Sequence, residues 1–114
     1  MKLMLVALLV LVQTPDIRTA YTCNGVADDK PYTMPLAIEK RGDNFMLTWG
    51  GGQQIGMGIR KDNQLSVAFV DQASGGIGVA AYKITDGVLD GTWAVGDGKL
   101  YPEKCVPPNS KEAK

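Results

Sequence analysis

The chain contains no histidine, and that absence removes more chemistry than any other feature of the composition. Without an imidazole there is no Ser-His-Asp or Cys-His arrangement, no His-bearing zinc site, and no general base of the most usual kind near neutral pH. Cysteine is scarce as well: Cys23 and Cys105 are the whole supply. Neither sign of charge is in excess. Twelve Lys/Arg balance twelve Asp/Glu over 114 residues, so there is no basic field to hold nucleic acid or an anionic lipid surface. No apolar run reaches the roughly 20 residues that a membrane-crossing helix needs. No stretch sustains a 3.6-residue hydrophobic period either, so essentially no helix is expected in the body of the chain.

The N-terminus carries a targeting pattern. Lys2 precedes an uninterrupted apolar run over residues 3–12, and a polar segment with Pro15 as breaker follows, the layout of an export signal with cleavage placed after Ala20. A short buried helix is the other reading of that run. From Tyr21 onward there are ten Lys/Arg and eleven Asp/Glu, a formal charge of −1. A body of this length is one domain and buries only roughly 60–65% of its unfolded surface. The expected organisation is therefore a signal peptide at 1–20, a single domain at 21–106, and a polar tail at 107–114 that begins with Pro107-Pro108. Two cysteines near the ends of a small exported body favour one disulfide, Cys23–Cys105. Free thiols are the alternative, and a lipid anchor on Cys23 is disfavoured because Tyr21-Thr22 is not a lipobox. The compartment is expected to be periplasmic or secreted, with no membrane span in the mature chain.

The body itself reads as hairpins. Residues 82–95 place Asp86-Gly87, a pair that tolerates positive φ, between alternating Tyr82/Ile84 and Leu89/Trp93/Val95, the signature of a tight type I′ turn. The design recurs at 36–49, turning at Gly42-Asp43-Asn44, and at 55–69, turning at residues 61–64. Turn signals about every ten residues give eight short strands, expected at 21–26, 34–40, 45–49, 53–60, 65–70, 77–85, 88–95 and 99–105. On the fourth, Ile55, Met57 and Ile59 are expected to share the inner face, with Gly56 and Gly58 outside.

Consecutive hairpins make an up-and-down meander. Eight strands in so short a chain either close into a barrel or fold as a two-sheet sandwich, and closure removes the edges that invite aggregation. Gly56, Gly58, Gly78 and Gly91 lie inside strands, where glycine marks a bulge, a bend or close backbone approach. Strong curvature explains them most economically, so the expected fold is an all-β, antiparallel, up-and-down barrel. Its interior is expected to be filled by Phe45, Leu47, Trp49, Ile55, Met57, Leu65, Val67, Phe69, Leu89 and Trp93, leaving no sizeable ligand cavity.

Three resemblances follow from particular segments. The succession Tyr-Thr-Cys-Asn-Gly, Leu-Thr-Trp-Gly-Gly-Gly, Gly-Met-Gly-Ile-Arg, Leu-Ser-Val-Ala-Phe, Gly-Val-Ala-Ala-Tyr and Leu-Asp-Gly-Thr-Trp resembles small exported bacterial proteins of unassigned function. Some of these carry a fibronectin-binding label; none offers a catalytic motif to transfer. Gly91-Thr92-Trp93 is similar to the Gly-x-Trp signature of calycin barrels, which implies a barrel. Tyr21-Thr22-Cys23-Asn24-Gly25 with Cys105 and Ala73-Ser74-Gly75 resembles the periplasmic inhibitors of c-type lysozyme, in which Ser74 would match the Ser of an inhibitory loop.

No cofactor, metal or catalytic residue is expected. Glu39 and Glu103 are the formal candidates for a carboxylate pair, but each reads more simply as a solvent-facing residue of its strand. Arg41-Gly42-Asp43 is an adhesive tripeptide in form, and turn chemistry accounts for it. The glycines at 50–52 and 75–78 lead into no helix, so phosphate-binding logic does not apply. The expected function is that of a non-catalytic exported binding module, contacting a protein or cell-envelope partner through loops at one barrel end. The candidate contact residues are Gly51, Gln53, Gln54, Asp71, Gln72, Ser74 and Gly75. A lysozyme-inhibitor-like protein and a calycin-like small-ligand binder are the alternatives.

Overall fold

In a computed structural model that describes residues 16–108, the alternating pattern becomes eight antiparallel strands. These are β1 (Ala20–Ala27), β2 (Lys30–Arg41), β3 (Asn44–Trp49), β4 (Gln54–Lys61), β5 (Gln64–Asp71), β6 (Ile77–Thr85), β7 (Val88–Ala94) and β8 (Tyr101–Val106). Each pairs with its neighbour in sequence, and β1 pairs with β8, so the meander closes into the expected barrel. The apolar run at 3–12 and the tail at 109–114 lie outside the described residues. No helix among the described residues is long and apolar enough to cross a membrane.

Local chemistry sets the corners. Asp86 and Gly87 both take positive φ, 51° and 79°, and Thr85 faces Val88 across them, as the two-residue hairpin requires. A further tight turn comes from Asp28 and Asp29, at φ 50° and 65°. Asp tolerates that region because its short side chain bonds locally. Consequently β2 starts at Lys30 rather than at 34, with Pro31 opposite Val26 and Pro35 opposite Thr22.

The base of the barrel is densely packed. Tyr21, Leu36, Leu47, Leu65, Ile84 and Leu89 are each at most 2% exposed and meet around the Cys23–Cys105 disulfide, which bridges directly opposed positions on β1 and β8. Residues just ahead of β1 close this end. Ile17 packs on the core, the Arg18 amide donates to the Tyr21 hydroxyl at 2.9 Å, and the Ile38 amide donates to the Thr19 carbonyl at 2.9 Å. The bond after Ala20 thus falls inside β1.

Strand β4 faces the other way from the expectation. Gly56 and Gly58 point into the barrel, while Met57 and Ile59 are 54% and 63% exposed. The reason is space. Gly56 is paired between Leu47 and Phe69, and Gly58 between Phe45 and Val67. A Cβ on Gly56 would lie 2.8 Å from the Ala68 carbonyl oxygen and 3.0 Å from Val67 Cγ1. Large inward neighbours on both sides leave room only for glycine, so Met57 and Ile59 are turned outward, Met57 into the row of Ala68 and Val79.

The disulfide closes a loop with a sequence separation of 82, for which chain entropy gives a stabilisation of about 4–5 kcal/mol as an upper value. Replacing both cysteines with alanine should lower the unfolding free energy by about 3–5 kcal/mol in urea titration. A loss below about 1 kcal/mol would mean that ladder pairing alone holds the seam.

Candidate functional site

Above the packed base the interior opens. A cavity of about 670 Å³ lies between the barrel wall and the loops after β3, β5 and β7, lined among others by Tyr32, Met34, Trp49, Phe69, Tyr82, Trp93 and Glu103. The expectation of a filled interior is therefore wrong at this end. Two of the side chains assigned to fill it, Ile55 and Met57, are not in the core, and glycine contributes no side chain in their place. The aromatic residues that remain stand around the space: between ring centroids Phe69 lies 5.7 Å from Trp49, tilted, and 6.5 Å from Trp93, edge to face. Eight strands enclose an interior of the size that side chains either fill or yield to one small ligand.

Glu103 is the buried acid of the cavity. It is 6% exposed, which corrects its reading as a solvent-facing residue; Glu39 is exposed, as expected, and the two do not meet. Strand periodicity explains the placement. Cys105 must point inward to reach Cys23, so Tyr101 and Glu103 share its face. Both are buried.

Along the ladder Glu103 is flanked by Gly25 on β1 and Gly91 on β7, and beyond those glycines lie Tyr32 on β2 and Tyr82 on β6. The missing side chains let both phenols cross the intervening strand. Tyr32 and Tyr82 donate to Glu103 Oε1 at 3.3 and 3.2 Å, and a Cβ on Gly25 would sit 2.3 Å from the Tyr32 hydroxyl oxygen. Trp93 Nε1 in turn donates to that oxygen at 2.8 Å.

The Trp49 indole nitrogen completes the group. Trp49 is 4% exposed, and its N–H faces Glu103 and Tyr82 closely enough to favour their ionised forms. It nevertheless makes no hydrogen bond of acceptable geometry and is a buried donor without a partner. Such a group costs about 1–3 kcal/mol. Burial raises the Glu103 pKa, opposed by hydrogen bonds from Tyr82 and Tyr32. Burial, with the carboxylate nearby, also raises both tyrosine pKa values above the usual range.

The predicted loop residues form the rim. Gln54 Nε2 donates to Asp71 Oδ1 at 2.7 Å, while the Ser74 amide and hydroxyl donate to Asp71 Oδ2 at 3.0 and 2.9 Å. The Gln72 amide donates to the Gln53 carbonyl at 2.8 Å, and the Gly75 amide to the Asp71 carbonyl at 2.7 Å. Both loops thus sit at one end and are tied together, with Gln54, Asp71 and Ser74 bordering the cavity. Gly51 is an exposed turn residue at φ 72°. The hydrogen bond from Gln54, followed by those from Ser74, holds the Asp71 carboxyl below the ordinary range. On the next loop Tyr101 donates to Asp97, and that bond pushes the phenol up to about 12.

Two other constellations are inert. Cys23, Glu103 and Cys105 cluster within 4.8 Å, but the sulfurs are joined in a disulfide, and a metal ligand must be a thiolate. Arg41 in the adhesive-looking tripeptide pairs with Glu39 at 3.1 Å on an exposed strand, a contact of little energetic weight. Sequence reasoning missed Tyr32, Tyr82, Trp49 and Glu103 as a group, although Cys105 sat two residues from Glu103 as a marker of the inner face.

What the geometry defines is a class: a small closed antiparallel barrel, dense at the base and cupped at the mouth. Searched against known protein families, curated proteins and solved structures, the chain matches none.

The raised Glu103 pKa fixes the sign of one pH effect. The folded protein holds this proton more tightly than the unfolded chain, so stability falls as pH rises from the ordinary value of 4.5 through the raised folded value. Glu103→Gln keeps an oxygen for both tyrosines and cannot ionise. Melting temperatures across about pH 4–8 should show that decline in the wild type and lose it in the variant; an unchanged decline would place its origin elsewhere.

Proposed function

We propose that the protein is a non-catalytic exported binding module whose cup holds one small, largely apolar molecule, with the loops at 50–53 and 72–76 forming the mouth. The observation that carries this reading is the cavity of about 670 Å³, walled by Met34, Trp49, Phe69, Ile77 and Trp93 with Glu103 on its floor. Ligand sites of drug-like size fall in the range of about 300–1,000 Å³ and pair apolar walls with a few convergent polar groups. Export is supported by the disulfide, which belongs to an oxidising compartment.

Of the alternatives from the sequence, the calycin-like reading gains most. The loop-only reading gains less, because the side chains of Gln54, Asp71 and Ser74, three of its candidate contact residues, are occupied with one another. The Ser74 hydroxyl is likewise engaged within its own loop, bonded to Asp71 and to the Gly76 amide, so no observation favours presentation to a lysozyme cleft. Phe69 is bracketed by Gly56 and Gly78 on the strands either side, which supports the reading of an open cup.

An uncharged hydrophobic dye such as N-phenyl-1-naphthylamine should bind one to one with micromolar affinity. Met34→Trp, which adds a ring to the cavity wall, should weaken that binding by about tenfold or more while leaving the melting transition cooperative. Dye that fails to bind the wild type, or binds the Trp variant equally well, would remove the cup from consideration.

A further inference from the structure

Beyond a generic apolar ligand, we propose that the cup takes a quaternary ammonium amphiphile, its cationic head near the mouth against the Phe69 ring and the Asp71 carboxylate, its apolar chain inside. This inference rests on the cup-binding reading above and concerns the chemistry of the ligand's head.

Strand alternation brings a ring and a charge together. Phe69 and Asp71 lie two residues apart on β5, on one face and about 7 Å from each other along the wall. Both line the cavity and neither is fully buried, so each offers surface to an occupant. The Phe69 ring lies over Gly78, where any Cβ would collide with it, and as an inward residue it shows its remaining surface to the cavity. Asp71 is bonded by neutral groups: Gln54 Nε2 at Oδ1, and the Ser74 amide and hydroxyl at Oδ2. These donors favour the ionised carboxyl without cancelling its charge. No lysine or arginine lines the cavity to do so. What this end of the cup lacks is a positive charge, more than another hydrogen-bond donor.

The surroundings carry the same sign. The mouth loops and their flanking residues hold Asp28, Asp29, Asp71 and Asp97 against Lys30 and Lys99, an excess of negative charge that draws cations in and turns anions away. An anionic head would meet Asp71 with no cation on the lining to offset it. A primary ammonium would bring N–H donors to a carboxylate already served by Gln54 and Ser74. A trimethylammonium group brings its charge under an apolar surface, the form that aromatic faces attract. Glu103, whose Oε1 already accepts from Tyr32 and Tyr82, is not required. The chain then lies among Met34, Ile77 and Trp93.

The test is a head-group series on one chain length: decyltrimethylammonium, 1-decanol and decanoate, each below its micelle concentration and competing with N-phenyl-1-naphthylamine for the intact disulfide-bonded protein. The cation should displace dye at a concentration at least about tenfold below either of the others. Asp71→Asn, which keeps an acceptor oxygen and removes the charge, should cut that advantage about fivefold. Phe69→Leu, which keeps apolar bulk and removes the ring, should cut it about threefold. Equal displacement by all three, a preference for decanol or decanoate, or a cation advantage that either variant leaves intact would overturn the proposal while leaving cup binding in place. Failure of the dye itself to bind would overturn both. If neither variant folds, the ranking on the wild type decides alone.

Discussion

Everything in this molecule follows from closing the sheet on itself at the β1–β8 seam. Thr22 to Gly25 pair with Glu103 to Val106, and the cysteine pair sits within that ladder. Closure leaves no unpaired strand edge, and it gives every strand one inner and one outer face. Inner positions must then share a volume set by eight strands. Once Cys23 and Cys105 are joined, the orientation of both terminal strands is settled, and a carboxylate two residues from Cys105 is carried into the interior with it.

The interior divides because its residues differ in size along the barrel axis. Toward the base, Leu36, Leu47, Leu65, Ile84 and Leu89 fill the cross-section. Toward the mouth several inner aromatic residues have a glycine as their partner on the neighbouring strand, so those rings can lie over backbone. Phe69 between Gly56 and Gly78 is one instance. Tyr32 and Tyr82 reaching Glu103 across Gly25 and Gly91 is another. The same substitution pattern therefore creates both the open volume and the route by which two phenols stabilise a buried acid.

A buried carboxyl with two phenolic donors and a nearby unpaired indole N–H is a poor way to make a barrel stable. Apolar residues of similar volume would avoid the desolvation cost altogether. Its presence beside the aromatic and aliphatic side chains of the cavity ties the stability of the barrel to pH through a single residue. The rim contributes differently. Asp71 links Gln54 to the loop that carries Ser74, so this edge of the mouth is held by hydrogen bonds within the protein.

Strand number, connectivity, the tight turn at Asp86-Gly87 and the pairing of the two cysteines were all legible in the chain, because period-two alternation and turn residues act over a few neighbours. The facing of β4 was not. Read alone, Gln-Ile-Gly-Met-Gly-Ile-Arg puts its branched residues inside, and only the bulk of Leu47, Phe69, Phe45 and Val67 on the flanking strands reverses it. Nor was the site legible: Tyr32, Trp49, Tyr82 and Glu103 come from four strands, and their meeting depends on cross-strand register and on glycines that lie between them in space. Local patterning determined that this protein is a closed all-β barrel with a sulfur seam. Which side chains point at the same emptiness was decided by tertiary packing, since that is a competition for volume among residues far apart in the chain.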